Sequence, residues 1–437
     1  MTHPGWSAGA GLSRTAGSDS QRAHPIPTYD STISESTTPT GSGRAERALR
    51  PAVATLLFLK LVVNSVFRFV YPFLPAIGRG LGIDLTQAGM LVSVRWAAAL
   101  TTPAVMSVTG SVHRSRRLLI AGVVLFSAGS IVTAWTGVFV GAVIGFALLG
   151  LAKPMIDVSA QVYVSERVPY LGRARYLGIL EMSWAGGLLF GAPLAGWLID
   201  NWSWETPFWV LGSLGLVCVG LALLFLDHND EAVTNRTSKA PDSPSRQVKL
   251  LLGTIALFGF AHESVLVVLG GWLEGSFGMT LLALGGVGTL IGLSELAGEG
   301  FMVGFTDRIG KRNSLALGLG VASASLLALS VVSAALVPAM GVLVVTTVSI
   351  EFGYISSIPL ATELRPRART RLLSMFIVAN GVGRIAGDLL SPRVFAEGGM
   401  RMVSIMAAAA TVCALIVVIG GVREVGSTDA VRAVNPS

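Results

Sequence analysis

Apolar runs of bilayer-spanning length recur along the chain at 52–78, 86–109, 118–139, 141–163, 174–199, 206–226, 250–274, 281–305, 314–334, 336–362, 371–392 and 402–422. A helix crosses the hydrocarbon layer in about 20 residues, so the pattern predicts twelve transmembrane helices, numbered spans 1 to 12 in chain order. The expected fold is an all-α membrane protein with two pseudo-symmetric six-helix bundles, 50–226 and 250–422. Three polar stretches lie outside the spans. Residues 1–49, rich in Ser, Thr, Gly and Pro, hold too little apolar surface to offset the entropy of ordering and are expected to be a disordered cytoplasmic tail. They also lack the basic start, apolar run and cleavage site of a signal peptide, so span 1 is expected to be retained. Residues 227–249 read as a cytoplasmic linker between the bundles, and 423–437 as a short cytoplasmic tail.

Composition narrows the class. Charged residues are only 13% of the 437 positions, about half of the ~25% usual in soluble proteins, and hydrophobic residues are 52%. The 52 glycines suit helices that pack closely in a bilayer. The net charge of +7 gathers in short breaks at 113–117, 166–175, 227–249, 307–312 and 365–371, while the intervening breaks are nearly free of Lys and Arg. That alternation predicts cytoplasmic termini in an inner membrane and removes the reason to expect a nucleic-acid partner. Cys218 and Cys413 lie within apolar runs, which excludes a disulfide framework.

The two halves repeat weakly. Gly82, Gly89 and Gly191 recur as Gly278, Gly285 and Gly387, and Glu166-x-x-Pro169 as Glu363-x-x-Pro366, at a shift of 196 or 197. Arg116-Arg117 recurs as Lys311-Arg312 at a shift of 195. Several coincidences at one shift point to a duplicated unit, as in many transporters. Charges within the spans follow the same logic. Lys60, Arg68, Arg95, Lys153, Asp157 and Glu181 occupy spans 1, 2, 4 and 5; Glu263, Glu295, Glu299, Glu351, Arg384 and Asp388 occupy spans 7, 8, 10 and 11. Spans 3, 6, 9 and 12 carry none, so they are expected to face lipid while the others surround a polar interior. The first half is biased basic and the second acidic, which suits an amphipathic or zwitterionic solute.

Three motifs carry a family resemblance. Asp307-Arg308-Ile309-Gly310-Lys311-Arg312 joins spans 8 and 9; Gly187-x-x-x-Gly191-x-Pro193-x-x-Gly196 lies on span 5; and Arg68 to Pro75 ends span 1. Over residues 50–425 the chain resembles the major facilitator superfamily, most closely its drug-efflux-like bacterial members. The resemblance implies that Asp307, Arg308, Gly310, Lys311 and Arg312 form a cytoplasmic gate loop, with Glu295 and Glu299 near it. It implies an antiporter-like role for Gly187, Gly191, Pro193 and Gly196, for which close helix packing is the rival explanation. The equivalent first-half loop, 110–117, lacks the acidic residue.

Candidate coupling and cavity residues are Asn64, Arg68, Lys153, Asp157, Glu181, Glu263, Glu351, Arg384 and Asp388. Lys153 with Asp157 and Arg384 with Asp388 are spaced i,i+4 on one helix face, as fixed salt bridges or as exchangeable pairs. Arg68 is expected to pair with Glu181, and Glu263 and Glu351 to stand without a cation. Trp96, Trp184, Trp272 and Tyr163 add aromatic surface. The resulting expectation is a secondary transporter that exports a small amphipathic solute by proton antiport, with a proton-coupled importer as the alternative and a non-transporting receptor or enzyme as a third class. No catalytic constellation, metal set or phosphate loop is present in the sequence, and no cofactor is expected beyond the proton gradient. The expected partners are the solute, protons and membrane lipid, with the monomer as the working unit.

Overall fold

The computed structural model describes residues 40–109, 115–168, 170–226, 245–364 and 369–422, all of them helical apart from short connections. The helices are α1 (Thr40–Leu81), α2 (Leu85–Thr109), α3 (Ser115–Thr136) and α4 (Phe139–Arg167), then α5, made of three short pieces (Tyr170–Glu181, Ser183–Leu189, Gly191–Asn201), and α6 (Thr206–Phe225). After them come α7 (Arg246–Phe277), α8 (Leu281–Ile309), α9 (Lys311–Val332) and α10 (Leu336–Leu364). A last stretch, Arg369–Gly421, is broken at Gly399 (φ 62°, ψ −164°) into α11 (369–398) and α12 (400–421). Ten stretches among the described residues meet length and hydropathy requirements for crossing a membrane, and the break at Gly399 divides one of them, which makes eleven legs. The remaining predicted span coincides with α2, a helix of 25 residues.

Boundaries differ from the sequence reading in two places. α1 starts at Thr40, inside the stretch expected to be tail, and α7 starts at Arg246, inside the expected linker. For α7 the cause is local: the Ser245 hydroxyl accepts a hydrogen bond from the Val248 amide, an N-cap that starts the helix on the polar Arg246 and Gln247. The rest of both tails, the 227–244 stretch and the 110–114 part of the first-half loop lie outside the described residues.

The duplication appears as matched backbone joints. Gly82 and Gly278 both take positive φ (65° and 61°) where α1 turns into α2 and α7 into α8, a conformation glycine adopts without a side-chain clash. A methyl group at Gly187 would lie 2.6 Å from the Asn64 carbonyl oxygen on α1; one at Gly383, 196 positions on, would lie 1.9 Å from the Ala256 carbonyl oxygen on α7. Gly191 and Gly387 repeat this, facing Ser65 and Glu263. α5 therefore packs on α1 as α11 packs on α7. α1 and α7 are the most enclosed helices (78% and 72% of their apolar windows buried), whereas α6, with 33%, presents Leu216, Leu223, Leu224 and Phe225 outward, as expected for a lipid-facing span.

The first six helices meet the last six at the end carrying the glycine turns. There Gly270 approaches the Pro72 carbonyl oxygen, Gly196 that of Leu281, and Gly89 that of Asp388, each so closely that an added methyl would fall 2.2 to 2.8 Å away. Toward the basic-loop end the spacing relaxes: Gly300 and Gly304 on α8 have no neighbour within 4 Å of an added methyl, and Glu181 is 55% exposed. The halves are thus closed at one end and parted at the other.

This packing predicts an asymmetry in tolerance. Gly383→Val should lower the melting temperature of the detergent-solubilised protein, by an overpacking cost of about 1–3 kcal/mol, while Gly304→Val should leave it unchanged. Equal melting of the two variants would contradict the close α11–α7 approach.

Candidate functional site

Ionisable groups inside the bundle gather in two clusters on the faces of α1. The first lies where the halves part. Lys60 Nζ is 3.0 Å from Glu181 Oε1 on α5 and 3.4 Å from Asp157 Oδ1 on α4. Asp157 also pairs with Lys153 one turn earlier on its own helix, and Gln161 donates to Glu181 at 3.2 Å. The Asn64 amide donates to Ser183 at 2.9 Å. Trp184 takes Arg68 on its ring at 4.6 Å and Lys153 at 5.3 Å, so one indole holds two cations. Lys60 is almost fully buried (2% exposed), while Asp157 is 25% exposed and Glu181 55%. Two partly exposed carboxylates therefore share a cation that is buried.

The second cluster lies on the seam between the halves and is sealed. Arg68 on α1 pairs with Glu295 on α8, both fully buried. Tyr71 donates to Glu263 on α7, which also accepts from Trp96 (3.1 Å) and from Arg384 on α11 (2.7 Å). Arg384 also meets His262 Nδ1 at 3.2 Å and lies over the Trp96 ring at 4.7 Å. Arg95 on α2 donates to the Phe67 carbonyl (2.9 Å) and to the Tyr71 hydroxyl (3.0 Å). Each bond from Arg68, Tyr71 or Trp96 to a glutamate crosses from the first six helices to the last six. Removing one partner of such a buried pair costs about 3–5 kcal/mol, because the other charge is left stranded.

Several expected pairings are corrected here. Arg68 does not meet Glu181; it takes Glu295, and Lys60 takes Glu181, because Lys60 lies two turns nearer the parted end of α1. Glu295 is a seam residue and not part of a gate beside the 307–312 loop. Glu263 has a cation after all, Arg384 from α11. Arg384 is thereby drawn from Asp388, whose two carboxyl oxygens have no hydrogen-bond partner among the described residues. The Lys153–Asp157 pair forms as spaced. Glu351 is buried on α10 against Gly298 of α8 and joins no ion pair among the described residues; Glu299 is partly buried and likewise unpaired.

In the 307–312 loop, Lys311 pairs with Glu363 on α10 and Arg312 donates to the Ile419 carbonyl on α12 at 2.8 Å, so its basic residues bridge neighbouring helices. Asp307 and Arg308 are exposed, and Gly310 (φ 92°) makes the turn. On α5, Gly187 and Gly191 admit α1, Gly196 admits α8, and Pro193 lies against Gly285. No group of His, Cys, Asp and Glu suited to a metal ion occurs among the described residues.

Lys60, Tyr71, Arg95 and His262 belong to these clusters but are not among the candidate coupling and cavity residues, although Lys60 and Arg95 count among the charges of spans 1 and 2. The signal for Lys60 was available, since Lys60, Asn64 and Arg68 recur every fourth residue on one face of α1. Tyr71 gives no such signal, because an aromatic residue near a span end reads equally as an interfacial anchor.

Comparison with known proteins agrees with this architecture. The sequence profile described as Major Facilitator Superfamily matches residues 56–364. The uncharacterized MFS-type transporter YwfA of Bacillus subtilis is 23% identical over 385 residues, which cover 82% of this chain and 89% of that protein. The uncharacterized MFS-type transporter Rv1877 of Mycobacterium tuberculosis is 26% identical over 84% of this chain, which spans about half (52%) of that relative's length. Neither name carries a substrate. Among solved structures, a peptide transporter POT in complex with sulfate superposes with a TM-score of 0.70 at 15% identity, over 84% of this chain and 93% of that one. A D-xylose-proton symporter does so with 0.67 at 14%, over 86% and 97%. At such identities the likeness concerns the fold alone. The profile match, the helical architecture and the buried polar interior together establish that this chain is a multi-pass membrane transporter of small solutes, not an enzyme, and that it belongs to the major facilitator superfamily.

Proposed function

We propose that the protein is a proton-coupled antiporter of the bacterial inner membrane that exports a small amphipathic solute. It works as a monomer, by rocking of bundles 50–226 and 250–422 about the seam. The observation that carries this reading is Lys60, a buried cation held by two partly exposed carboxylates. A proton added to Asp157 or Glu181 removes one of its anions and frees a hydrogen-bond donor toward the interior, so proton loading and solute binding compete for the same groups. Trp184, already stacked with Arg68 and Lys153, offers an aromatic face to the apolar part of the solute. The drug-efflux likeness of the motifs and the bacterial relatives support the direction and the membrane. The basic loops support a cytoplasmic position for the parted end and both termini.

Symport is the second reading, and one observation favours it: Gly187, Gly191 and Gly196 are all used for close helix contacts, so the α5 motif is accounted for without antiport.

Proteoliposomes under a pH gradient separate the two. Purified protein should move ethidium, or another member of a panel of dyes, antibiotics, sugars and amino acids, against an opposite proton flow recorded with an internal pH dye. Parallel flow of solute and proton would replace antiport by symport, and flux without proton movement would end the coupled reading.

In the same assay Asp157→Asn and Glu181→Gln should each slow gradient-driven flux about tenfold or more, in line with the ~1.5–3 kcal/mol of a charge-assisted hydrogen bond. Both variants should keep normal membrane levels; undiminished driven flux in both would remove Lys60 and its partners from the coupling step. A fluorescent reporter fused to the C-terminal end should be cytoplasmic, and a periplasmic signal would reverse the proposed orientation.

A further inference from the structure

The charges around the parted end do not balance within the chain. Lys60 and Lys153 are met by Asp157 and Glu181, and Arg68 by Glu295. Glu299 on α8 and Glu351 on α10 are left over, and neither joins an ion pair among the described residues. Glu351 is only 6% exposed, so a carboxylate without a partner is far costlier there than in water. Packing places these groups together. A methyl added at Gly298 would lie 2.8 Å from the Glu351 Cβ, so Glu351 bears on the turn of α8 that carries Glu295 and Glu299. Glu295 gives one oxygen to Arg68 and leaves Oε2 buried without a partner. Tyr354, one turn after Glu351, is half-buried; its ring lies 6.1 Å from Phe258 and 5.6 Å from Phe376, and its hydroxyl accepts from Asn380 at 3.3 Å. Room for a ligand begins at this level. The close α5–α8 approach ends at Gly292, where an added methyl would lie 2.9 Å from the Ala185 carbonyl oxygen, whereas one at Gly300 would meet nothing within 4 Å.

We infer that Glu299 and Glu351, with Oε2 of Glu295 behind them, form a subsite for the charged centre of an organic cation whose apolar part lies along Tyr354. Three features select that class of ligand. A compact metal ion needs several oxygens converging to within about 2.6 Å of one point, and no acidic group among the described residues is arranged in that way. Carboxylates spread over two helices beside an aromatic face suit a larger cation with delocalised charge. Lys60 and Lys153 belong to the first half and repel positive charge, which holds it on the second. The carboxylates act by Coulomb attraction and by accepting hydrogen bonds, and no covalent bond is made or broken. The assignment rests on the export reading above and narrows its solute to molecules that carry positive charge.

Equilibrium binding to the full-length protein in lipid nanodiscs, with no gradient imposed, tests it. Ethidium, followed by fluorescence anisotropy, should bind the wild-type protein more tightly than the anionic dye fluorescein, and tetraphenylphosphonium should displace it. Glu299→Gln and Glu351→Gln should each weaken ethidium binding about tenfold or more, while Glu351→Asp, which keeps the charge, should weaken it less. Glu299 is half-buried, so its variant keeps the test open should Glu351→Gln fail to fold. Ethidium affinity unchanged in both glutamine variants, or no preference for ethidium over fluorescein in the wild type, would overturn the inference. Displacement of ethidium by millimolar sodium and not by tetraphenylphosphonium would also overturn it, by giving the carboxylates to an inorganic cation. Absence of proton movement in the flux assay would end the coupled reading while leaving ethidium binding intact, so the two failures are distinguishable.

Discussion

Arg68 sits fully buried, and a guanidinium in that position is strongly stabilised by an anion that meets it. In this chain the anion comes from the other half of the molecule. Glu295 is on α8, so a fully buried charge of the first six helices is neutralised by a residue of the last six, and Glu263 draws Tyr71 and Trp96 across by hydrogen bonds. The seam is therefore held by groups that cannot be left alone in a low-dielectric interior, and not by apolar contact alone. Any motion that parts the halves at the turn end has to provide these groups with new partners, which water, a proton or a polar solute can do. The demand for a partner is what turns a packed bundle into a device that responds to what enters it.

The duplicated backbone supplies the joints on which this happens. Gly187 and Gly191 bring α5 onto α1, and Gly383 and Gly387 bring α11 onto α7, with the same residue spacing and the same kind of close approach. The side chains placed on those joints are different. In the first half, near α1, stand Lys60, Arg68 and Lys153; in the second, near α7 and α8, stand Glu263, Glu295 and Asp388. Most of these charges are met within their own half, Lys60 and Lys153 by Asp157 and Glu181 and Glu263 by Arg384, while Arg68 and Glu295 neutralise each other across the seam.

Much of this was legible in the chain. Span positions follow from the cost of leaving backbone polar groups in hydrocarbon, a constraint strong enough that each predicted segment coincides with a helix or part of one. The polar stripes could be read as well: Lys60-Asn64-Arg68, Lys153-Asp157-Gln161 and Asn380-Arg384-Asp388 each recur every fourth residue and mark the inward face of α1, α4 and α11. What could not be read is which stripe meets which. Periodicity fixes a side chain's direction on its own helix but says nothing of height relative to a helix hundreds of residues away. Local spacing suggested Arg384 with Asp388 and left Glu263 without a cation, whereas the close α11–α7 contact at Gly387 sets Arg384 beside Glu263. Arg68 was assigned to Glu181 within its own half for the same reason, since a partner 227 positions distant has no local signature.

The two clusters differ most in access to water, and that difference carries the mechanistic argument furthest. Lys60, Asp157 and Glu181 occupy the parted region, with carboxylates partly exposed, so a change there can follow the chemistry of one compartment. Arg68, Glu295, Glu263 and Asp388 are closed off beneath the contacts of Gly89, Gly196 and Gly270. α1 bears on both, since Lys60 and Arg68 project from one face of it two turns apart. A displacement of α1 acts on both clusters together, because Lys60 and Arg68 are carried by the same stretch of helix. In the antiport we propose, the two clusters are linked by no more than the two turns of helix that separate Lys60 from Arg68.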